Sequence, residues 1–284
     1  MRLVMTLLVR DEEDILAANL DYHHSQGVDF FLVMDNLSVD RTATIARDYE
    51  RRGLARYIHQ PRDDYSQSEW VTQMARAACV EHQADWVINN DADEFWWPLQ
   101  GDLRTTFAAI DPVADELIAE RHNFVAVADE TAPFHQRMVY RQAVSLNASG
   151  RPLPPKVAHR AAPEVRVAQG NHAVTAAGRG RRCSGPIEIL HFPVRRYAQV
   201  LNKIAKGGAA YARNATLPPA VGATWRELYQ RLQREQGLAG FYADEVHDEA
   251  RLRERVARGE LIEDRRLQQF LARIGSDGTA DRSI

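Results

Sequence analysis

The chain has few cysteines and no long hydrophobic segment. Among its 284 residues, the two cysteines are Cys79 and Cys183, whose spacing fits neither a zinc site nor a CxxC redox motif. No apolar run reaches the roughly 18–20 residues that a membrane-spanning helix needs. The apolar start, Met1 to Val9, runs directly into an acidic segment, which is unlike a signal peptide. We therefore predict a cytoplasmic protein with no transmembrane segment.

An excess of basic charge is also absent. The chain has 36 Lys and Arg residues against 39 Asp and Glu residues, so its net charge is −3. A surface that binds nucleic acid is typically strongly basic, and we expect no nucleic-acid partner. Among the basic residues, 33 are arginines and only three are lysines, namely Lys156, Lys203 and Lys206. Because the two side chains differ in geometry, the three lysines are candidates for a special role.

Short apolar runs alternate with helical patterns in the first hundred residues. The predicted strands cover residues 3–9, 30–34, 57–58 and 86–88, and the predicted helices cover residues 12–26, 42–52 and 68–83. This alternation with short links indicates parallel crossovers and hence an open α/β sheet. After Pro98 the pattern changes to short strands between loops, and from Arg196 onward it is mostly helical.

Polar residues follow each of the four predicted strands. They are Arg10-Asp11, Asp35-Asn36, the segment 60–63 and the segment Asp91-Ala92-Asp93-Glu94. Ligands of open α/β sheets bind beyond the carboxyl ends of the strands, so these residues predict a ligand pocket. Neither GxGxxG nor GxxxxGK[ST] occurs at any strand end, which disfavours dinucleotide-binding and P-loop folds.

The paired aspartates Asp91 and Asp93 carry the most specific signal. Two carboxylates two residues apart at a strand end can turn toward one divalent cation, and Mg²⁺ and Mn²⁺ prefer oxygen ligands that a substrate phosphate completes. An Asp-x-Asp sequence alone is weak evidence, and a solvated acidic turn is the structural alternative. The apolar strand before the pair, and Glu94-Phe95 after it, strengthen the metal-site interpretation.

Three segments together resemble the family 2-like glycosyltransferases with the GT-A fold. They are residues 9–16, residues 35–42 and the segment Asp91-Ala92-Asp93-Glu94-Phe95. The Glu94-Phe95 extension, with the segment 191–197 and Lys203, is similar to a bacterial branch of that group. The resemblance covers roughly residues 1–206.

The resemblance implies a GT-A type open, mostly parallel α/β sheet flanked by helices, with a helical C-terminal extension. Residues 1–206 would form the transferase domain and residues 207–284 the extension. The implied activity is that of a metal-dependent, hexosyltransferase-like enzyme. It would move a sugar from a nucleotide-diphosphate donor to an acceptor hydroxyl with inversion. The implied cofactor is Mn²⁺ or Mg²⁺ on Asp91 and Asp93, with Arg10 and Asp35 on the nucleotide.

Further candidates lie later in the chain. His191 ends an apolar strand and is a candidate third metal ligand, with a structural role as the alternative. Arg195 and Lys203 follow it, and cations there would stabilise the charge on a departing diphosphate. A solvated basic helix face is the other interpretation of these residues.

The catalytic base is open at this stage. An inverting transfer needs a carboxylate or histidine near the reacting carbon, and the candidates are Glu94, Asp129, Glu130 and His172, of which we favour Glu94 and His172. Trp96 is a candidate for stacking on a sugar ring, with core packing as the alternative. Two other functions also fit an Asp pair on such a sheet: a metal-dependent nucleotidyl- or phosphoryl-transferase, and a non-catalytic sugar-binding domain. The C-terminal helices suit packing or self-association equally well.

Overall fold

The computed structural model describes residues 1–64, 66–146, 150–175, 180–214, 217–218, 221–235 and 237–280. The strands are β1 Leu3–Val9, β2 Phe30–Asp35, β3 Ala55–His59, β4 Trp86–Asn90, β5 Glu94–Pro98, β6 Glu116–Asn123, β7 Ala126–Val127, β8 Tyr140–Gln142, β9 Lys156–Arg160, β10 Arg166–Val167, β11 Val174–Thr175, β12 Arg182–His191, β13 Val246–His247 and β14 Leu261–Glu263. The helices are α1 Leu16–Ser25, α2 Thr42–Arg51, α3 Gln67–Val80, α4 Leu103–Ala108, α5 Phe134–Arg137, α6 Tyr197–Arg213, α7 Ala223–Glu235, α8 Ala239–Glu245, α9 Glu249–Ala257 and α10 Arg266–Ala280.

Eight strands form one sheet in the order β3-β2-β1-β4-β9-β6-β12-β5. Strands β3, β2, β1 and β4 are parallel neighbours. Strand β9 is antiparallel to both β4 and β6, strand β12 is parallel to β6, and β5 is antiparallel to β12. All strands of this sheet except β9 and β5 therefore point the same way. The predicted fold class, an open and mostly parallel α/β sheet flanked by helices, is confirmed.

The apolar run of β1 is continuous because both of its faces are covered. Successive side chains of a strand point to opposite faces. Leu3, Met5 and Leu7 accordingly pack into one hydrophobic core, whereas Val4 packs into a second core with Trp70 of α3. This double cover is what a parallel strand at the centre of an α/β sheet requires.

The C-terminal helices are tied to the sheet through α6. This helix runs unbroken from Tyr197 to Arg213, so the predicted boundary at residue 206 falls inside it. Helices α6, α7 and α8 share a third hydrophobic cluster around Val200, Ile204 and Leu238. Strands β13 and β14 pair with β7 and β8, which adds two further links to the preceding chain. Within the described residues, none of the helices combines the length and apolar character needed to cross a bilayer.

Candidate active site

A cavity of about 610 Å³ opens at the carboxyl ends of β1 and β4. Its charged and polar lining residues include Arg10, Asp11, Glu12, Asn36, Asp91, Asp93, Arg121, Lys156, His172, His191, Lys203 and Lys206. The structure therefore brings six of the predicted site residues to one cavity: Arg10, Asp91, Asp93, His172, His191 and Lys203. In the part of the chain that the structure describes, the lining does not include Asp35, Glu94, Trp96 or Arg195.

The turn that carries the paired aspartates, residues 91–93, is held by buried hydrogen bonds. The Asn19 side chain of α1 is completely buried, and its Nδ2 donates to the carbonyl oxygens of Ala92 at 3.0 Å and Glu94 at 2.8 Å. On the other side, the backbone N–H of Phe192 donates to the carbonyl oxygen of Asp93 at 2.8 Å. The fold therefore fixes the backbone of the turn and places both carboxylates at the cavity.

Asp93 faces two groups of different character. Its Oδ2 lies 2.6 Å from Nζ of Lys203, and its Oδ1 lies 3.7 Å from Nε2 of His191. Burial alone would raise the pKa of Asp93, but the ammonium of Lys203 outweighs it and holds the pKa below its ordinary value. Asp93 is therefore a carboxylate at neutral pH.

His191 is neutral and has a defined tautomer. Burial lowers the pKa of His191 to about 3. Its Nδ1 lies 2.6 Å from Oδ1 of Asn123, an atom that only accepts, so Nδ1 carries the proton. The lone pair of Nε2 is therefore on the side of the Asp93 carboxylate. Such a fixed tautomer is typical of histidines that bind metals.

Asp91 points to different partners. Its Oδ2 accepts a hydrogen bond from Lys156, and its Oδ1 accepts one from Nδ2 of Asn171 at 3.1 Å. Among the residues with described positions, no three His, Cys, Asp or Glu side chains are grouped closely enough to hold a metal ion. Asp93 and His191 thus form a two-residue donor set, and Asp91 stands apart from it on Lys156.

Glu94 lies beneath the cavity rather than in its wall. Its side chain is completely buried, and its Oε1 is 3.3 Å from both Arg121 and Lys156. Burial raises the pKa of Glu94 to about 7, with Lys156 acting in the opposite direction. Glu94 therefore orients two cations of the cavity floor, and its carboxylate does not reach the cavity as we expected of a base.

His172 does line the cavity. Its Nδ1 lies 2.9 Å from the carbonyl oxygen of Pro155, so Nδ1–H donates and Nε2 keeps its lone pair. Burial lowers the pKa of His172 to about 4, which keeps the ring neutral at physiological pH. Of the predicted base candidates, all of which lie in the described part of the chain, His172 is the one that lines the cavity, whereas Glu94, Asp129 and Glu130 do not.

The loop after β1 is shaped by Asp11. Its φ of +54° is in the left-handed region, which is uncommon for a residue other than glycine. Its carboxylate accepts hydrogen bonds from the backbone of Val39, from Asn202 at 2.9 Å and from Lys206. Helix α6 therefore anchors this loop. The neighbouring Arg10 lines the cavity and pairs with Asp63 at 2.6 Å.

Arg195 differs from our expectation of a substrate-binding cation. Its side chain is completely buried. Its guanidinium donates to Asp14 at 2.8 Å, to Glu12 at 2.5 Å and to the carbonyl oxygen of Phe192 at 3.1 Å. These contacts join the loop after β1 to the segment after β12. Arg195 is a structural ion-pair centre in this arrangement.

Trp96 and Asp35 also lie elsewhere than predicted. Trp96 is fully buried in β5, where its Nε1 donates to Asn90 at 3.0 Å, so no face of the ring is open to a sugar. Asp35 is 2% exposed, and its carboxylate accepts from Tyr57 at 3.0 Å and from the backbone of Ser38 at 3.1 Å. The amino acid after it, Asn36, lines the cavity instead.

All three lysines of the chain pair with aspartates of the cavity. Lys156 contacts Asp91, Lys203 contacts Asp93, and Lys206 contacts Asp11. The sequence signalled this only through the rarity of lysine among the basic residues. Beyond this rarity, the sequence assigned no role at the site to Lys156.

Residues 5–186 match the family model of glycosyltransferase family 92. The chain therefore belongs to this family, and the predicted glycosyltransferase class is confirmed. Family membership also favours this class over a nucleotidyl- or phosphoryl-transferase. No curated protein matches the chain in sequence.

Several solved structures are similar in fold. S. aureus TarS, residues 1–349, is 12% identical, with 81% of this chain and 71% of that chain covered and a TM-score of 0.43. The same fragment in complex with UDP is 13% identical, with 82% and 71% covered and a TM-score of 0.43. Glucosyl-3-phosphoglycerate synthase from Mycobacterium tuberculosis in complex with Mn²⁺, UDP and glucosyl-3-phosphoglycerate is 15% identical, with 43% and 44% covered and a TM-score of 0.31. Likenesses this distant do not assign a substrate.

Proposed function

We propose that this chain transfers a sugar from a nucleotide-diphosphate donor to an acceptor hydroxyl in the cavity, with Mn²⁺ or Mg²⁺ as cofactor. The observation that carries the proposal is the paired-aspartate turn, residues 91–93, in the cavity wall at the carboxyl end of β4. That edge of an open α/β sheet is where ligands bind. The resemblance of this turn to the family 2-like enzymes supports the same assignment, and the cytoplasmic location remains a prediction from the sequence.

The structure supplies two candidate ligand atoms for a divalent cation, which is only part of a complete coordination shell. Oδ1 of Asp93 and Nε2 of His191 are both lone-pair atoms, and they lie 3.7 Å apart with the imidazole tautomer fixed by Asn123. Mg²⁺ and Mn²⁺ accept a carboxylate and an imidazole, and they are commonly completed by water and substrate phosphate. A cation bound there would neutralise charge on the departing diphosphate. Asp91 would become a third metal ligand only if its hydrogen bond with Lys156 were broken.

Lys203 has a double role in this proposal. Without a donor its ammonium neutralises Asp93, and it also lies 3.9 Å from Glu12. Lysine is a point charge on a flexible stem, so it can exchange one oxygen partner for another. A cation held by Asp93 would leave Lys203 able to contact the diphosphate. Arg10 faces the same cavity and adds a second positive group.

The transfer itself is a single displacement. The acceptor oxygen forms a bond to the anomeric carbon while the bond from that carbon to the phosphate oxygen breaks, and the electron pair leaves with the nucleoside diphosphate. The proton of the acceptor hydroxyl goes to Nε2 of His172, which keeps its lone pair because Nδ1 donates to Pro155. Attack from the face opposite the leaving group inverts the anomeric centre, as the family 2-like resemblance implies.

A thermal-shift screen of nucleoside diphosphates tests this function. A ligand that binds only the folded state stabilises it by RT ln(1 + L/Kd), where L is the ligand concentration, so the melting temperature rises with that concentration. We expect one diphosphate to stabilise the wild type in the presence of Mn²⁺ and to lose most of that effect in a chelator. If no nucleoside diphosphate stabilises the protein with Mn²⁺, the proposal is wrong.

Two substitutions test whether the Mn²⁺-dependent stabilisation arises at Asp93. Asp93→Asn keeps the size of the side chain but removes its charge, and we expect it to abolish the Mn²⁺-dependent shift. Asp129→Asn is the matched control, because Asp129 is exposed and bonded to Thr131 outside the cavity lining. Once a donor is identified, the anomeric configuration of the product, read by NMR, tests inversion.

A further inference from the structure

The cavity has a second wall that is apolar. Helices α6, α7 and α8 contribute Val200, Ile204, Trp225, Leu228 and Phe241 to its lining, and we call these five residues the helical wall. They belong to a small hydrophobic cluster that is separate from the two cores on the faces of the sheet. Trp225, Leu228 and Phe241 are only partly buried, so they present apolar surface to the cavity.

The helical wall begins beside the charged end of the cavity. The ring centroid of Trp225 is 5.8 Å from Nζ of Lys203, which is itself 2.6 Å from Asp93. A molecule that rests on Trp225 therefore reaches the place where the leaving diphosphate and the reacting carbon would lie.

The Trp225 ring is held in position by a glycine. A Cβ added to Gly207 of α6 would lie 2.5 Å from the ring, so the indole rests directly on the helix backbone. Glycine in a helix interior costs about 1 kcal/mol relative to alanine, and here it permits this close approach. The helical wall is thus formed before any ligand binds.

The apolar side chains of the helical wall disfavour binding of the polar parts of a nucleotide-sugar donor. Ribose, phosphates and sugar hydroxyls need hydrogen-bond partners, and burying them without partners is unfavourable. The charged turns at the strand ends supply such partners, whereas the five side chains of the helical wall are aliphatic or aromatic apart from the indole N–H. The matching occupant is an apolar group.

We propose that the helical wall is the acceptor subsite, and that the acceptor carries its reacting hydroxyl on a molecule with an alkyl or aryl aglycone. This inference rests on the proposed function and specifies its acceptor class. The hydroxyl would lie toward Lys203 and His172, and the apolar body would lie along Trp225, Leu228 and Phe241.

Alkyl glucosides of increasing length test the proposal directly. We would titrate methyl, butyl and hexyl β-glucoside, below micelle-forming concentrations, into the full chain saturated with the nucleoside diphosphate found by thermal shift. Each fully buried methylene strengthens binding about fourfold, so we expect affinity to rise clearly from methyl to hexyl glucoside. Equal affinities along the series would overturn the proposal.

Two matched leucines locate the binding surface. Leu228 and Leu232 lie one turn apart on α7 and are both partly buried, but only Leu228 is among the lining residues. We expect Leu228→Ser to flatten the dependence on chain length and Leu232→Ser to retain it. Phe241→Ser on α8 repeats the test if Leu228→Ser does not fold. A dependence that survives in the lining variants would also overturn the proposal.

The readouts separate this inference from the proposed function. Stabilisation of every variant by the nucleoside diphosphate and Mn²⁺ reports on the donor end alone. If that stabilisation persists while alkyl chain length has no effect, the acceptor class is wrong and the transferase function stands. If that stabilisation is absent in the wild type, the proposed function fails first.

Discussion

Lysine is rare in this chain, and each lysine faces an aspartate of the cavity. The pairs are Lys156 with Asp91, Lys203 with Asp93 and Lys206 with Asp11. Arginine would hold a carboxylate with a rigid, two-pronged fork, whereas lysine makes single contacts that are easily exchanged. The choice of lysine at these three positions suits carboxylates that must later release their partner to a ligand.

The first prediction concerns Lys203→Met. Removing the ammonium leaves the buried Asp93 carboxylate unpaired, so we expect the free energy of unfolding in a chelator to fall by about 3–5 kcal/mol. Saturating Mn²⁺ should recover much of this loss, because the cation replaces the missing charge. Urea unfolding with and without Mn²⁺ measures both effects. Lys206→Met is the control, since its partner Asp11 is outside the proposed ligand pair, and its loss should be the same in both conditions.

A second prediction concerns His23, which is buried and neutral. Its Nδ1 lies 2.8 Å from the carbonyl oxygen of Asn19, and its Nε2 accepts a hydrogen bond from the backbone of Trp96 at 3.1 Å. Burial lowers the pKa of His23 to about 3, compared with about 6.5 in an unfolded chain. The stabilisation is therefore complete above pH 6.5 and is lost as the pH falls from 6.5 toward 3.

We expect His23 to account for a loss of up to about 1.4 kcal/mol per pH unit below pH 6.5. Denaturant unfolding between pH 7.5 and pH 5 measures this slope. His23→Gln should reduce the slope, at the cost of lower stability at pH 7.5. His59→Gln is the control, because it makes the same replacement at an exposed position.

Helix α6 connects the sheet, the cavity and the C-terminal helices. It provides Asn202, Lys203 and Lys206 on the side of the loop after β1, and Gly207 and Gly208 on the side of α7. A Cβ on Gly208 would lie 2.4 Å from Tyr229, just as one on Gly207 would meet Trp225. Helices α6 and α7 can therefore pack this closely only because Gly207 and Gly208 have no Cβ atom.

Gly207→Ala is accordingly expected to destabilise the protein even though alanine is the better helix former. The clash with Trp225 outweighs the propensity gain of about 1 kcal/mol and forces the ring out of place. A lower melting temperature and a changed tryptophan emission spectrum would show this. Gly237→Ala is the control, because its Cβ would meet its nearest atom, Oη of Tyr197, at an ordinary 3.4 Å. A stabilised Gly207→Ala protein would contradict the packing described.

The strands of the first half were predictable, whereas β5 and β9 were not. Strands β1, β2 and β4 each contain an apolar run, as expected of strands that are covered on both faces of the sheet. Strand β9 begins with Lys156, which is 1% exposed, and a lysine after a proline-rich segment normally indicates a surface loop. Its burial depends on Asp91 and Glu94, which are about 60 residues earlier in the chain, so local patterns could not reveal it.

The site was predictable in its location and not in all its members. The strand-end rule predicts that Arg10, Asp35 and the turn at residues 91–93 face one pocket, and the structure brings Arg10 and the turn to one cavity but buries Asp35. Trp96 and Arg195, which were predicted on other grounds, point into the interior for reasons of packing and ion pairing. Which face a side chain takes at a strand end or in a loop depends on neighbours that the sequence alone does not identify.

The buried ion-pair cluster of Arg195, Glu12 and Asp14 joins two distant parts of the chain. Arg195 is more than 180 positions from Glu12 and Asp14 in the chain, and its contacts with them fasten the loop after β1 to the segment that leads into α6. Breaking a buried ion pair by removing one partner costs about 3–5 kcal/mol, because a charge is left uncompensated. The cluster therefore supports the whole molecule, and of its three members only Glu12 lines the cavity.

Arg195→Met should lower the free energy of unfolding by about 3–5 kcal/mol. Because Arg195 does not line the cavity, the affinity of the folded protein for a nucleoside diphosphate should change little, within about twofold. Urea unfolding and a binding titration at low temperature separate the two quantities. Arg253→Met is the control, since its pair with Glu249 is exposed and should be worth less than about 0.5 kcal/mol.

The Asn19 amide has a consequence for how the enzyme meets its ligands. Asn19 is a neutral side chain that donates hydrogen bonds to the carbonyl oxygens of Ala92 and Glu94. The backbone of the turn at residues 91–93 is therefore ordered before a metal or a nucleotide binds. The entropy of ordering that loop is spent during folding, so an incoming ligand need not supply it. Neutralising either acid should therefore leave the backbone shape intact, so that a loss of ligand binding in such a variant reports on the missing charge and not on a collapsed loop.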